Sequence, residues 1–312
     1  MANLPLKYEG NIQPPTGEWN NLVQQNLYPY YPDDFLKEAV NLSIRLNRPL
    51  LLEGEPGCGK SRLAYSIVYE FSQRYPEINW KFRLWNVQSI SKAQDGFYSY
   101  DYIGRLQAAQ LAKLGIKNQE TDPTNLIKYL ELGPLGYAFK EKKYRTVVLI
   151  DEIDKADTDF PNDLLLALEE QRFEIKDLRP RRWLKANPDA PPIVIITSNQ
   201  EKTLPSAFLR RCLYHYIEFP SQEQLIKIIN ARFKNPPSEI VEKAIDRFLE
   251  LREMMEDERG ETGKKVSTSE LIDWFAIFNE YPPEEIIEKL ETELPFASTL
   301  LKSRSDREDF LG

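Results

Sequence analysis

From residue 34 onward, short apolar runs alternate with stretches of helical periodicity. The runs Pro49–Glu53, "KFRLWNVQ" (81–88), "TVVLIDEID" (146–154), "PIVIITSN" (192–199) and "LYHYIEF" (213–219) are strand-sized. The continuous apolarity of "TVVLI" and "PIVII", and the alternation of such strands with helices, mark a parallel sheet covered on both faces. Between them the spacing predicts helices over 35–46, 60–74 and 161–171, a short one over 205–210, and helical pieces within 89–143. After Pro220 the strands stop. Helices are expected over 222–233, 238–255, 268–278 and 284–291, with "EDERGETGKK" (256–265) as a polar linker. The expected fold is α/β, a five-stranded parallel sheet sandwiched by helices and followed by a small all-helical domain. The expected division is an N-terminal arm over 1–34, an α/β core over 35–220 and a helical lid over 221–312. The arm is rich in Pro, Asn and Tyr and has no periodicity. It is expected to order against the body through Trp19, Tyr28, Tyr30 and Tyr31.

Composition narrows the setting. At 312 residues the chain suits one large domain, or a large and a small one. No apolar run approaches the ~20 residues that span a bilayer. The first twenty residues lack a signal-type apolar core, so a cytoplasmic protein with no membrane partner is expected. Two cysteines, Cys58 and Cys212, make no disulfide framework, and the single histidine, His215, argues against most zinc sites. A net charge of −8 argues against broad non-specific nucleic-acid binding.

The densest chemistry lies at "GEPGCGKS", Gly54 to Ser61, which fits G-x-x-x-x-G-K-[ST] between a strand and a helix. Glycines at 54, 57 and 59 let backbone N–H groups turn inward onto phosphate oxygens, and the helix start adds its positive dipole end. Lys60 is suited to the β- and γ-phosphates and the Ser61 hydroxyl to Mg²⁺. The expected nucleotide-contacting set is Gly54, Glu55, Pro56, Gly57, Cys58, Gly59, Lys60, Ser61 and Arg62, with Cys58 a small loop residue rather than a redox switch.

"VVLIDEID" places Asp151 and Glu152 where a buried strand ends. Carboxylates do not belong inside a parallel sheet, so they should lie past its carboxyl edge, where open α/β sheets bind ligands. Asp151 is the expected Mg²⁺ partner. Glu152 is suited to polarise a water for attack on the γ-phosphate. Asp154 reads as structural, as a helix cap. Asn199, ending the next apolar strand, can orient the attacking water if its strand lies beside that of Asp151; alone it is ordinary turn chemistry.

The order GEPGCGKS, LIDEID, TSN and "LPSAFLRRC", followed by an all-helical region, resembles an AAA+ ATPase, and more narrowly the MoxR-like branch of dynein-related type. "LGPLGYAF", "EEQRFEI" and "LPFASTLLK" carry the narrower likeness, which runs from residue 35 to the end. The resemblance implies a P-loop AAA+ fold and a ring, usually hexameric, that binds ATP and Mg²⁺ between neighbours. It also implies an arginine reaching the site from the next subunit, with Arg211 the first candidate and Arg210 the second. Family members often carry a nucleotide-sensing arginine in the helical domain. Here that place falls at Ser269, with Lys264 and Lys265 just upstream.

The implied function is ATP hydrolysis driving chaperone-like remodelling or activation of a protein client, with a von Willebrand factor A domain protein as a partner in relatives. Two other readings stand beside it. One is a nucleic-acid-dependent ATPase, which gains from the basic "RPRRWLK" (179–185) and loses on net charge. The other is a nucleotide-controlled switch in a bacterial stress or conflict system. "RPRRWLK" also reads as the tip of a hairpin that contacts protein. "DGFYSYDYIG" (95–104) is either core or a pore grip, depending on burial. His215 reads as a packed strand residue.

Overall fold

The computed structural model describes residues 6–115, 122–260 and 263–311. Within the arm, β1 (Glu18–Asn20) and β2 (Gln25–Leu27) form a small antiparallel hairpin. Next come α1 (Asp34–Leu46), β3 (Leu50–Gly54), α2 (Lys60–Arg74) and β4 (Lys81–Asn86). The long segment before the acidic strand holds α3 (Ala93–Phe97), β5 (Tyr98–Tyr100), α4 (Tyr102–Lys113), β6 (Leu130–Leu132) and α5 (Pro134–Lys140). It is followed by β7 (Thr146–Asp151), α6 (Phe160–Glu170), a hairpin of β8 (Arg172–Ile175) and β9 (Arg182–Lys185), then β10 (Ile193–Ser198), α7 (Ser206–Leu209) and β11 (Leu213–Ile217). Among the described residues, five α-helices follow the last strand: α8 (Gln222–Arg232), α9 (Ser238–Arg259), α10 (Thr268–Phe278), α11 (Pro283–Thr292) and α12 (Arg304–Leu311).

Two compact units interleave in sequence. One holds residues up to Glu9, Asp34–Glu53 and Ile67–His215; the other holds Gly10–Asp33, Gly54–Ser66 and Tyr216 onward. The five-stranded parallel sheet expected from the apolar runs has the order β11-β3-β10-β7-β4. β7 lies between β4 and β10, and β10 pairs with β3, all parallel. Val147, Val148, Leu149 and Ile150 are fully buried, each worth about 1.5–3 kcal/mol relative to exposure. That burial explains why no polar residue interrupts the run until Asp151. Registers Asn86↔Asp151, Ile196↔Ile150 and Ser198↔Glu53 bring Asp151, Ser198 and Glu53 out at one carboxyl edge.

The core of the first unit packs Leu51, Val148 and Ile196 with Leu135 and Phe139 of α5 and Phe160 and Leu164 of α6. Phe97, Tyr98 and Tyr100 are buried, and Phe97 stacks on Phe173 at 4.9 Å, so the aromatic segment is core. Only Tyr102 of that group is exposed. "RPRRWLK" spans the turn and second strand of the β8–β9 hairpin, where the exposed Trp183 ring carries the Arg172 guanidinium at 4.7 Å. His215 sits half-buried within β11.

The second unit's core is helical. Leu225 and Ile229 of α8, Val241, Ile245 and Phe248 of α9, and Trp274 and Phe275 of α10 interdigitate, and the Trp274 indole donates to Pro295 O at 2.6 Å. Capping boxes Ser221/Gln224 and Ser267/Glu270 start α8 and α10, satisfying N–H groups that a helix start leaves open. α9 continues through Arg259, so "EDER" adds another turn where a linker was expected. Glu256, Glu258 and Arg259 are good helix formers, and Lys265 returns to Glu256 at 3.2 Å.

Candidate functional site

In the second unit the loop leaves β3 at Gly54 and enters α2 at Lys60. Gly54 and Gly57 have φ of 151° and 78°, conformations costly for any side chain. A Cβ on Gly54 would stand 2.6 Å from Ile217 O, and one on Gly57 would stand 2.9 Å from Ser267 and 3.0 Å from Ser269 Oγ. Gly54 and Gly57 are therefore demanded by the local geometry. Lys60 is buried, and its ammonium donates 2.8 Å bonds to Gly54 O and Glu55 O. Cys58 is buried beside it, and desolvation pushes its thiol up. Ser61 is half-buried at the first turn of α2, and Pro56 and Gly57 are exposed. Arg62 is exposed and lies 5.7 Å over the Tyr28 ring, which Arg232 approaches to 3.2 Å; this is how the arm meets the loop helix.

Glu55 is tied to the helices. Its carboxylate pairs with Arg252 of α9 at 2.5 Å and with Lys265 at 3.4 Å. The Arg252 guanidinium also donates to Val266 O at 2.7 Å and stacks 3.6 Å over Phe219. Sequence reading missed Arg252. The signal existed, since in "FLELREMM" it takes a position of the buried stripe of Phe248, Leu251 and Met255, where a charge needs a partner. Of the two lysines near the expected sensor position, Lys265 reaches the loop. Lys264 is exposed, and Ser269 faces Gly57.

The first unit brings the acidic-strand residues together. The Thr197 hydroxyl of β10 donates to Asp151 Oδ1 at 2.6 Å and accepts the Glu152 N–H at 2.8 Å. Thr197, a second residue that sequence reading missed, is the first hydroxyl after the apolar run Ile193–Ile196, buried together with Ser198. Glu152 itself is left-handed (φ 59°), which turns its side chain away from the strand path. Its Oε1 accepts from Asn199 Nδ2 at 3.2 Å, and its Oε2 pairs with Lys155. Asp154 is buried and caps no helix. Its Oδ2 instead accepts the N–H groups of Asn199 and Glu201 at 3.0 and 2.9 Å, fixing the loop that presents Asn199. Asn199 is half-buried.

Arg210 and Arg211 follow α7. Arg48 donates to the carbonyls of Arg210, Arg211 and Cys212, pinning that turn. Arg211 bonds Glu169 at 2.7 Å and Ala207 O at 3.1 Å. The exposed Arg210 side chain has neither hydrogen bond nor ion pair among the described residues.

A strand–glycine loop–helix unit together with a strand ending in paired acids beside a strand ending in Asn defines a P-loop ATPase of the AAA class. The chain belongs to that class: residues 49–212 match the family of the AAA domain (dynein-related subfamily). It is similar to the Lon protease of Metamycoplasma arthritidis (strain 158L3-1), 28% identical over 216 residues, which are 66% of this chain and 20% of that protein. The chain thus spans about a fifth of that relative's length. Among solved structures it aligns with the Escherichia coli MS115-1 HORMA:CdnC:Trip13 complex at TM-score 0.46 and 16% identity, covering 85% of this chain and 80% of that one. A second match is Caenorhabditis elegans PCH-2 at TM-score 0.44 and 16% identity, covering 84% and 70%. A third is a point mutant of Thermotoga maritima RuvB at TM-score 0.46 and 16% identity, covering 89% and 72%. Among the described residues, no helix is long and apolar enough to cross a membrane.

Proposed function

We propose that this chain is a MoxR-like AAA+ ATPase, in which Mg²⁺-dependent ATP hydrolysis drives remodelling or activation of a protein partner in the cytoplasm. The functional division we propose is an arm over 1–34, an ATPase core over 35–220 and a lid over 221–312. The observation that carries the reading is Glu55, a phosphate-loop residue held by Arg252 and Lys265 of the helical region. Loop and lid helices are thereby joined by charge, a route by which a change at the loop can move helices.

The loop fits a nucleotide's phosphates: Gly54 and Gly57 leave no room for a Cβ, and its buried ammonium rests on loop carbonyls. Gly54 to Ser61, with Arg62, would hold the nucleotide, and Ser61 and Asp151 would hold Mg²⁺. The metal would supply charge neutralisation at the phosphates. Thr197 orients the Asp151 carboxylate, and Glu152 holds the proton of an attacking water at its carboxylate while Asn199 sets that carboxylate's direction. Arg210, whose guanidinium is uncommitted, takes precedence over Arg211 as the group offered to a neighbouring subunit in a ring, expected to be a hexamer. A von Willebrand factor A domain protein is the partner type we propose.

The test is a Glu152→Gln chain loaded with ATP and used to capture partners, alongside ATPase assays with and without nucleic acid. The reading expects a protein retained only with ATP. Turnover stimulated by DNA or RNA and steeply weakened by salt would overturn it.

A further inference from the structure

A basic cleft of about 400 Å³ opens in the first unit between edge strand β4 and the end of α5. Lys81 and Arg83, two residues apart on β4, point to one face. Lys140 ends α5, and Glu141 and Lys142 follow it, with Tyr137 on the same wall. Lys81 begins β4 in register with Thr146, five residues before Asp151. The cleft is therefore about 17 Å along the sheet from the acidic edge, at the strands' amino ends.

Four cations converge here against one carboxylate, in a chain whose net charge is −8. That carboxylate is already engaged: Glu141 Oε1 accepts the backbone N–H groups of Lys142, Lys143 and Tyr144 at 2.9, 2.8 and 3.4 Å. Two of the cations have structural partners. Lys142 caps α5 through Phe139 O at 3.2 Å and also reaches Lys185 O. Arg83 lies 4.8 Å over the Tyr137 ring and spends one N–H on Phe82 O at 3.0 Å. Lys140 has no hydrogen bond or ion pair among the described residues; Lys81 has none within bonding distance, although its charge adds to the Lys143 N–H in holding the Glu141 carboxyl below its ordinary range. Like charges gathered in a concave wall repel one another unless an anion enters. The fold of the sheet and α5 accounts for the positions of Arg83 and Lys142 but not for adding Lys81 and Lys140 beside them.

We infer that this cleft binds an oligophosphate of nucleotide size, at a site separate from the phosphate loop. The volume lies in the range of small-ligand sites. Multiple phosphate charges match a cluster of several cations better than a single carboxylate would. The inference does not rest on the remodelling role proposed above.

The test is calorimetric titration of the full chain with inorganic tripolyphosphate. The Lys60→Ala chain should bind one equivalent, and Lys81→Gln/Lys140→Gln in that background should weaken binding by at least about tenfold, with a further loss as salt rises. The unsubstituted chain should bind two equivalents and Lys81→Gln/Lys140→Gln alone should bind one, which covers the case in which Lys60→Ala does not fold. ATP binding equally well assigns the site to the phosphate chain, and tighter ATP binding assigns it to a nucleotide. One equivalent in the unsubstituted chain, indifference to the lysine substitutions, or binding of a DNA oligonucleotide without tripolyphosphate would each overturn the inference.

Discussion

The Glu55 carboxylate, inside the phosphate loop, accepts a 2.5 Å hydrogen bond from the Arg252 guanidinium of α9. Arg252 is buried on the apolar stripe of its helix, so removing either partner strands a charge. Arg252→Gln should lower unfolding free energy by about 1–3 kcal/mol, less than a fully buried pair because Glu55 is half-exposed to solvent. Chemical denaturation of Arg252→Gln, Glu55→Gln and the double variant measures it. Losses that add independently would show that the two residues do not couple.

Thr197 joins Asp151 to the Glu152 backbone through one hydroxyl. Thr197→Val keeps the shape but removes the hydroxyl's bonds to the part-buried Glu152 N–H and to Asp151 Oδ1, at a cost of about 1–3 kcal/mol. ATP turnover should fall with it, since the left-handed Glu152 loses its anchor, while Thr197→Ser should restore both. Steady-state ATPase assays and thermal melts on the two variants decide the matter.

Arg210 and Arg211 are neighbours with different commitments, since Arg211 is bound to Glu169. Arg210→Ala should reduce turnover by about 10³-fold or more while ATP binding persists, and Arg211→Ala should cost less. Turnover per chain should also rise with protein concentration. Concentration-independent turnover, or full activity of Arg210→Ala, would remove Arg210 from the role.

Cys212 is buried under the Arg48-capped turn, and desolvation pushes its thiol from 9.0 up to about 12. The folded chain therefore holds this proton more tightly than the unfolded chain. Its contribution to stability is complete below pH 9 and is lost as pH climbs toward 12. A maleimide at a pH of about 7.5, well below the thiol's ordinary range, should label Cys212 only after unfolding. Rapid labelling of the native chain would contradict the burial.

Much of the sheet was legible because buried strands must be apolar throughout, and "TVVLID" or "PIVIIT" admit little else. The β8–β9 hairpin was one of two readings of "RPRRWLK" and was expected from the resemblance; in the fold β8 alternates partly or fully exposed side chains with buried ones. The end of α9 was not legible, because "EDER" is polar enough for a loop and helical enough for a helix. In the fold the helix runs through Arg259, and Lys265 pairs with Glu256 on its last turns.

The chain's own order of residues determined the local chemistry. A strand, three glycines and Lys60-Ser61 followed by a helix spell the motif of a phosphate loop, because glycine's tolerance of positive φ and its small size are properties of the residue itself. Asp151 and Glu152 were equally readable, since acids end an apolar strand only at its edge. Tertiary structure decided the partnerships. Asp154 became a clamp on the Asn199 loop rather than a helix cap, Thr197 became the link between Asp151 and Glu152, and Arg252 became the ion-pair partner of Glu55 from 197 residues away. Pairings of that kind depend on which strands lie side by side and on which residue meets a helix's buried face; local periodicity marks the face but not the partner.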